Sequence, residues 1–149
     1  MKTALMAAVA ILALAGCAAD GGVAETKLPP LGGSLEGGPW LIESVNGVAI
    51  DPKVRADITF DPGDHNTSAV FGTGGCNRFR GGWQQTGSTI KLGPLAGTMM
   101  ACEPSSKMDV EMKVLRSLEA ATTVSFNSDG SAMLTAADGG VVKLRREKK

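Results

Sequence analysis

Apolar positions along this chain follow three different spacings. From Ala4 to Ala15 they run unbroken. From Trp40 onward they come as short stretches in which apolar and polar residues alternate, and between Ser106 and Ala120 they recur at helical spacing. Trp40-Leu41-Ile42-Glu43-Ser44-Val45 predicts a strand. Asn46-Gly47 predicts a tight turn, because both residues tolerate positive φ. Val48-Ala49-Ile50 is the returning strand, and Asp51-Pro52 breaks it. Ala56 to Phe60 alternates as a half-buried strand does. Asp61-Pro62-Gly63-Asp64 predicts a loop. Ser68 to Phe71 predicts another short strand, interrupted by Gly72-Thr73-Gly74-Gly75. Phe79 to Gln85 and Thr89 to Leu92 predict a hairpin closed near Gly87-Ser88. Pro94 to Cys102 follows no clear period.

One helix is expected, from about Ser106 to Ala120, a segment without Gly or Pro. Ser106 with Asp109 resembles a capping box, with Asp in place of the usual Glu or Gln. Met108, Met112, Leu115, Leu118 and Ala121 share one helical face. Strands return at Thr122–Phe126, Ala132–Thr135 and Val141–Leu144, with turns at Asp129-Gly130 and Asp138-Gly139. The predicted class is α+β and β-rich: a curled antiparallel sheet or partly open barrel of about seven to eight short strands, with one α-helix inserted late, because short turns force antiparallel pairing and one helix can cover a face or plug an end.

The amino terminus has its own logic. Lys2 followed by a short apolar run is the pattern of a secretory signal. The run is too short for a comfortable membrane-spanning helix, which needs about 20 apolar residues. It ends in Leu14-Ala15-Gly16-Cys17, which looks like the lipobox of bacterial lipoproteins. On that reading residues 1–16 are a signal peptide, cut before Cys17, whose thiol takes diacylglycerol and makes a palmitate-bearing lipoprotein. An uncleaved anchor or an ordinary signal peptide is the alternative. Ala18, not Asp, follows the Cys, which leans toward the outer membrane facing the periplasm over the inner membrane. Residues 17–38, rich in Gly, Ala and Pro, read as the lipidated Cys and a flexible tether. That leaves a domain at 39–146 and a charged tail at 147–149.

Composition narrows the partners. The chain has 149 residues, 15 basic against 15 acidic, with 20 Gly and no Tyr. Length fits one small domain, and the glycines favour many turns. The one basic cluster is the Lys143, Arg145, Arg146, Lys148, Lys149 tail. A nucleic-acid binder would show a basic face, so none is expected as a partner. A monomer held to the membrane through its lipid is.

Several residues resemble a known family. Trp40-Leu41, Gly75-Cys76-Asn77-Arg78-Phe79 with Gly81, and Thr98-Met99-Met100-Ala101-Cys102 followed by Met108 and Glu111 look like the META domain, also called HslJ-like. The match in order and spacing runs from about Trp40 to Leu144. The resemblance implies a curled antiparallel sheet with one helix. It also implies an envelope lipoprotein, with links in some members to heat shock or antibiotic tolerance. The fold is similar to a lipid-binding pilot protein of secretion systems, and no enzymatic activity is established for the family.

With Cys17 assigned to lipid, Cys76 and Cys102 remain as an even pair in an exported chain, where paired cysteines persist as disulfides. Two buried thiols, or a redox or metal role, are the alternatives. Structural zinc wants four closely spaced ligands, and His65 is the sole histidine, so no metal or cofactor is expected. A cysteine hydrolase would need a free Cys76 thiolate with an orienting base such as His65. Gly72-Thr73-Gly74-Gly75 lacks the Lys and helix start of a phosphate loop and reads as a bulged turn needing positive φ. Asn77 is expected to bond local backbone in that turn, and Glu111 is a candidate partner for Arg78. Met99, Met100, Met108 and Met112 read first as core filling. The alternative makes Met108, Met112 and Leu115 the lining of an apolar ligand site. The expectation is a non-enzymatic envelope lipoprotein with a binding or stress-tolerance role, acting on an envelope protein or an apolar ligand. The alternatives are a carrier of a lipid-like ligand in the curled sheet and an inhibitor of an envelope enzyme.

Overall fold

A computed structural model describes residues 33–63 and 68–147 of the chain. The signal segment, Cys17 and His65 lie outside the described residues. Among the described residues, ten strands and one helix follow in order: β1 (Gly37–Val45), β2 (Val48–Ala49), β3 (Asp57–Asp61), β4 (Ala69–Thr73), β5 (Arg78–Thr86), β6 (Thr89–Leu92), β7 (Ala96–Gly97), α1 (Ser106–Ala120), β8 (Ala121–Phe126), β9 (Ser131–Ala136) and β10 (Val141–Arg146). Asn46 and Gly47, at φ of 51° and 78°, make the tight turn between β1 and β2. Pairing is antiparallel throughout and runs β10-β9-β8-β6-β5-β4-β3-β1. β1 also pairs with β10, placing Leu41 opposite Arg145 and Ile42 opposite Leu144. The curled sheet therefore closes on itself as a barrel, which removes its long free edges. The seam is thinnest between β6 and β8, where Thr89 opposes Thr123 and the Val124 N–H reaches the Ser88 carbonyl at 2.8 Å.

Alternation fills the barrel. Trp40 and Ile42, Ile58 and Phe60, Ile90 and Leu92, and Val142 and Leu144 point inward at every second position. Trp83 meets Phe60 edge-on, with ring centroids 5.1 Å apart, a favoured aromatic geometry. α1 lies across β1, β6, β9 and β10 and buries Val114 and Leu118 completely.

The helix occupies its predicted span, and its predicted face is right at Leu118, Ala121 and, in part, Leu115, but not at Met108 and Met112. Val110, Val114 and Leu118 face the barrel, with Leu115 partly buried beside them, while Met108 and Met112 are exposed. Two apolar stripes of helical spacing coexist in α1, and the one that carries Val110, Val114 and Leu118 packs on the sheet. The capping box does not form. Ser105 is the N-cap, without a side-chain cap bond, and Ser106 is already helical. β4 runs on through Gly72 and Thr73 instead of stopping at Phe71. A Cβ on Gly72 would lie 2.0 Å from the Asp57 carbonyl oxygen, so this glycine serves the close approach of β3, not a turn.

The chain also enters the barrel earlier than its composition suggests. Residues 34–38, assigned to the tether above, are held to the barrel through Leu35 and through Gly37 and Gly38, which begin β1. Leu35 is fully buried. Its N–H donates to Gln85 Oε1 at 3.1 Å, and its carbonyl accepts from Trp40 Nε1 at 2.9 Å. One large apolar side chain in a Gly-rich stretch is enough to anchor it. At the other end, Arg146 covers the Trp40 ring at 4.4 Å and Arg145 and Lys143 pair with Glu43, so much of the basic cluster is structural.

Candidate functional site

The motif residues converge where the β4–β5 connection, the strand-poor segment after β6, and α1 meet. Between β4 and β5 the chain bends through Gly74 to Asn77. Thr73 Oγ1 donates to the Asn77 carbonyl at 3.1 Å and accepts from the Gly75 N–H at 3.2 Å. Gly75 sits at φ +116°, a conformation that favours glycine. A Cβ on Gly74 would lie 2.8 Å from Glu111 Cγ, so this glycine admits the helix.

That approach brings Glu111 onto Asn77, which is only 3% exposed. The Asn77 N–H donates to Glu111 Oε2, and its Nδ2 donates to Glu111 Oε1 at 3.1 Å. The rest of the amide grips Met100: Oδ1 accepts from the Met100 N–H at 2.7 Å, and Nδ2 donates to the Met100 carbonyl at 3.2 Å. Thr98 Oγ1 also donates to Asn77 Oδ1, at 3.0 Å. Because Met100 offers both a donor and an acceptor, the orientation of the amide is determined. Asn77 therefore bonds distant segments, not the local turn expected for it, since burial leaves its amide facing Met100 and α1. Cys76 and Cys102 close a disulfide across 26 residues, with Cα atoms 6.0 Å apart. Sulfur and amide thus tie the same two segments.

The remaining motif residues serve the knot or the core. Arg78 does not pair with Glu111, whose two oxygens are taken by Asn77. Its side chain is exposed, and its backbone exchanges bonds with Thr98. Phe79 is core. A Cβ on Gly81 would lie 2.6 Å from the Pro94 carbonyl oxygen, so this glycine lets the following segment cross β5. Glu119 Oε1 accepts from the Leu95 N–H at 2.7 Å. The segment from Leu95 to Met100 therefore runs along α1, toward its N-terminus. Ala101 is exposed, Met99 is 98% exposed and Met100 61%. None of the four methionines is core filling, and Met108 and Met112 line no cavity between helix and sheet, because the valine stripe takes that position.

The chemistry open to this arrangement is narrow. With both sulfurs bonded to each other there is no thiolate at Cys76, so a cysteine nucleophile has nothing to act with. Among the described residues no group of three or more His, Cys, Asp or Glu could hold a metal ion. Electrostatic tuning lies elsewhere. The Arg145 guanidinium, bonded to Glu43 with Lys143 nearby, holds that carboxyl below its ordinary value. The Ser131 hydroxyl and N–H hold Asp129 low. Arg55 does the same for Glu147, and its own guanidinium is pushed further up by that contact and by Asp57.

The META domain family matches residues 33–149, beginning at Gly33, beside the buried Leu35. This chain belongs to the META domain family. No curated protein matches it. Among solved structures, an NMR structure of a protein from Burkholderia xenovorans is similar at 21% identity and a TM-score of 0.63, covering 77% of this chain and 85% of that one. A second NMR structure reaches 21% identity and a TM-score of 0.58, over 75% and 91%. A DUF4847 family protein from Bacteroides vulgatus reaches 15% and 0.50, over 77% and 96%. At these identities the likeness establishes the fold. The META domain is not a known family of enzymes, and here its signature residues build a cross-link: Gly74 admits α1, Gly75 supplies the positive φ of the bend and makes room for Val54, Asn77 joins three segments, and the disulfide locks two of them.

Proposed function

We propose that this META domain belongs to a cell-envelope lipoprotein, held at the outer membrane by lipid on Cys17 and acting by binding, in a stress-tolerance role, without catalysis of its own. The observation that carries the reading is the use of the cysteines. Cys76 and Cys102 are spent on each other, as suits an oxidising compartment, and Cys17 is left at the end of a signal-like apolar run after Leu14-Ala15-Gly16. The test is to feed cells expressing the full chain an alkyne-tagged palmitate, compare Cys17→Ser, and separate inner from outer membranes by density. The intact chain is expected to carry label and sediment with the outer membrane, and the variant to carry none. Equal labelling of both would end the reading.

A second reading makes the domain an inhibitor of an envelope enzyme. It is favoured by the rigid loop from Gly75 to Arg78, fixed by the disulfide and by Asn77 next to the fully exposed Met99. Carriage of a lipid inside the sheet is disfavoured, since Trp40, Ile58, Phe60, Leu134 and Leu144 leave that interior packed.

A further inference from the structure

The flank of α1 opposite its methionines borders a cleft of about 680 Å³ between the helix and the β1–β2 hairpin. This volume lies within the usual range for small-molecule sites. Its floor is apolar, made by Val45, Ile50, Val54, Val110 and Val114. Lys113 and Arg116 stand on its rim, and among the described residues neither forms an ion pair. The rim also carries the Asp51 carboxylate, which accepts from the Lys53 N–H at 2.8 Å and so caps its own turn. Two unpaired cations over an apolar floor complement a molecule with an apolar body and one anionic end.

We propose that this cleft binds a free single-chain anionic amphiphile, with its alkyl chain on the valine floor and its carboxylate at Lys113 and Arg116. The placement favours a water-borne ligand over a bilayer lipid. The chain enters the domain at Gly33, against Phe126 and Gln85, near the Gly37 end of β1. The cleft opens at the Val45 end, and the steps between the nine residues of β1, one fewer than the residues, separate the two by about 26 Å at ~3.3 Å per step. Under the tethered reading above, on which this clause rests, the lipid anchor joins the domain at the end remote from the cleft.

The test uses the processed chain with Cys17→Ser, titrated with dodecanoate below its micelle concentration and with uncharged dodecanol below its solubility limit, and followed by amide NMR shifts. Dodecanoate is expected to move the amides of Val48–Asp51 and Val110–Ser117 and to bind about tenfold tighter than dodecanol, the size two exposed charge contacts supply. Lys113→Gln with Arg116→Gln should bring dodecanoate down to the dodecanol level and leave dodecanol unchanged. Ala49→Trp, which fills the cleft from an exposed position, should abolish both. Equal binding of the two ligands, shifts centred on Met99 and Met108, or no binding would each overturn the proposal. So would flotation with phosphatidylglycerol vesicles that depends on Lys113 and Arg116. Loss of palmitate labelling at Cys17 would end the tether reading without touching these titrations, and failed titrations would leave the tether intact.

Discussion

Replacing Asn77 tests whether the signature motif is a structural knot. Its amide makes four side-chain hydrogen bonds that join Thr98, Met100 and Glu111. Each such bond is worth about 1 kcal/mol net. Met100 is exposed enough for water to replace part of this, so Asn77→Ala should cost about 2–3 kcal/mol. Asn77→Asp keeps the shape and inverts both contacts that Nδ2 makes, to Glu111 Oε1 and to the Met100 carbonyl. A carboxylate oxygen then stands where Nδ2 was, 3.1 Å from Glu111 Oε1. At an effective dielectric of 20 two charges that close repel by about 5 kcal/mol. Protonating one carboxyl of ordinary pKa near 4 at pH 7 costs about 4 kcal/mol, which caps the penalty. The shared proton is bound more tightly in the folded state, so the pair titrates above the unfolded value. Asn77→Asp must therefore regain stability as pH falls, by up to about 1.4 kcal/mol per unit. Urea unfolding followed by the fluorescence of the buried Trp40 and Trp83 reads this directly, each variant against the parent at the same pH. Asn77→Asp should be the worse variant at pH 7 and should match or pass Asn77→Ala near pH 5. An alanine variant within about 0.5 kcal/mol of the parent would refute the reasoning, as would a gap between the variants that does not change from pH 7 to 5.

The Cys76–Cys102 loop spans 26 residues, so in the chain-entropy account the Cys76→Ser, Cys102→Ser pair should lose about 3.5 kcal/mol in the same unfolding assay; a loss under about 1 kcal/mol would show that the reduced chain is already held together. The adjacent glycines of β5 should behave in opposite ways. Gly81→Ala meets the Pro94 carbonyl at 2.6 Å, whereas Gly82→Ala meets nothing within 4 Å, so thermal unfolding should drop by about 1–3 kcal/mol for the first only. Glu43 has its carboxyl held low by Arg145. Its contribution is therefore present above the ordinary carboxylate pKa and lost as pH falls through the lowered one. The exposed pairing limits this to about 1 kcal/mol or less. Glu43→Gln should lower stability at pH 7 and approach the parent as pH falls through the lowered pKa, and a difference that grows on acidification would contradict the pairing.

Local patterns carried most of the architecture. The alternation of Trp40 and Ile42 or Ile90 and Leu92, and the Asn46-Gly47 turn, each specify their element through neighbours a few residues away. The span of α1 was equally legible, because nothing between Ser106 and Ala120 interrupts a helix. Its face was legible only in part. Met108 with Met112 and Val110 with Val114 are equally periodic, and only packing against β1, β6, β9 and β10 selects the valines. Gly72 misled for a related reason: a glycine that frees the backbone and one that makes room for Asp57 are the same letter.

The candidate site divides in the same way. Sequence by itself determined which residues matter, through the Gly-Cys-Asn-Arg-Phe and Thr-Met-Met-Ala-Cys pieces, and it paired the two cysteines by counting them against the expectation of export. Tertiary structure alone decided what those residues do. Asn77 bonds segments 21 to 34 residues away, Glu111 turns to that amide and not to Arg78, and the methionines face outward. The cleft beside Lys113 and Arg116 has no sequence signature, because its two walls come from a hairpin near the start of the barrel and a helix inserted near its end. Hydrogen bonds between distant segments and the shape of a surface exist only once the barrel closes, whereas strand alternation and turn chemistry act along the chain itself.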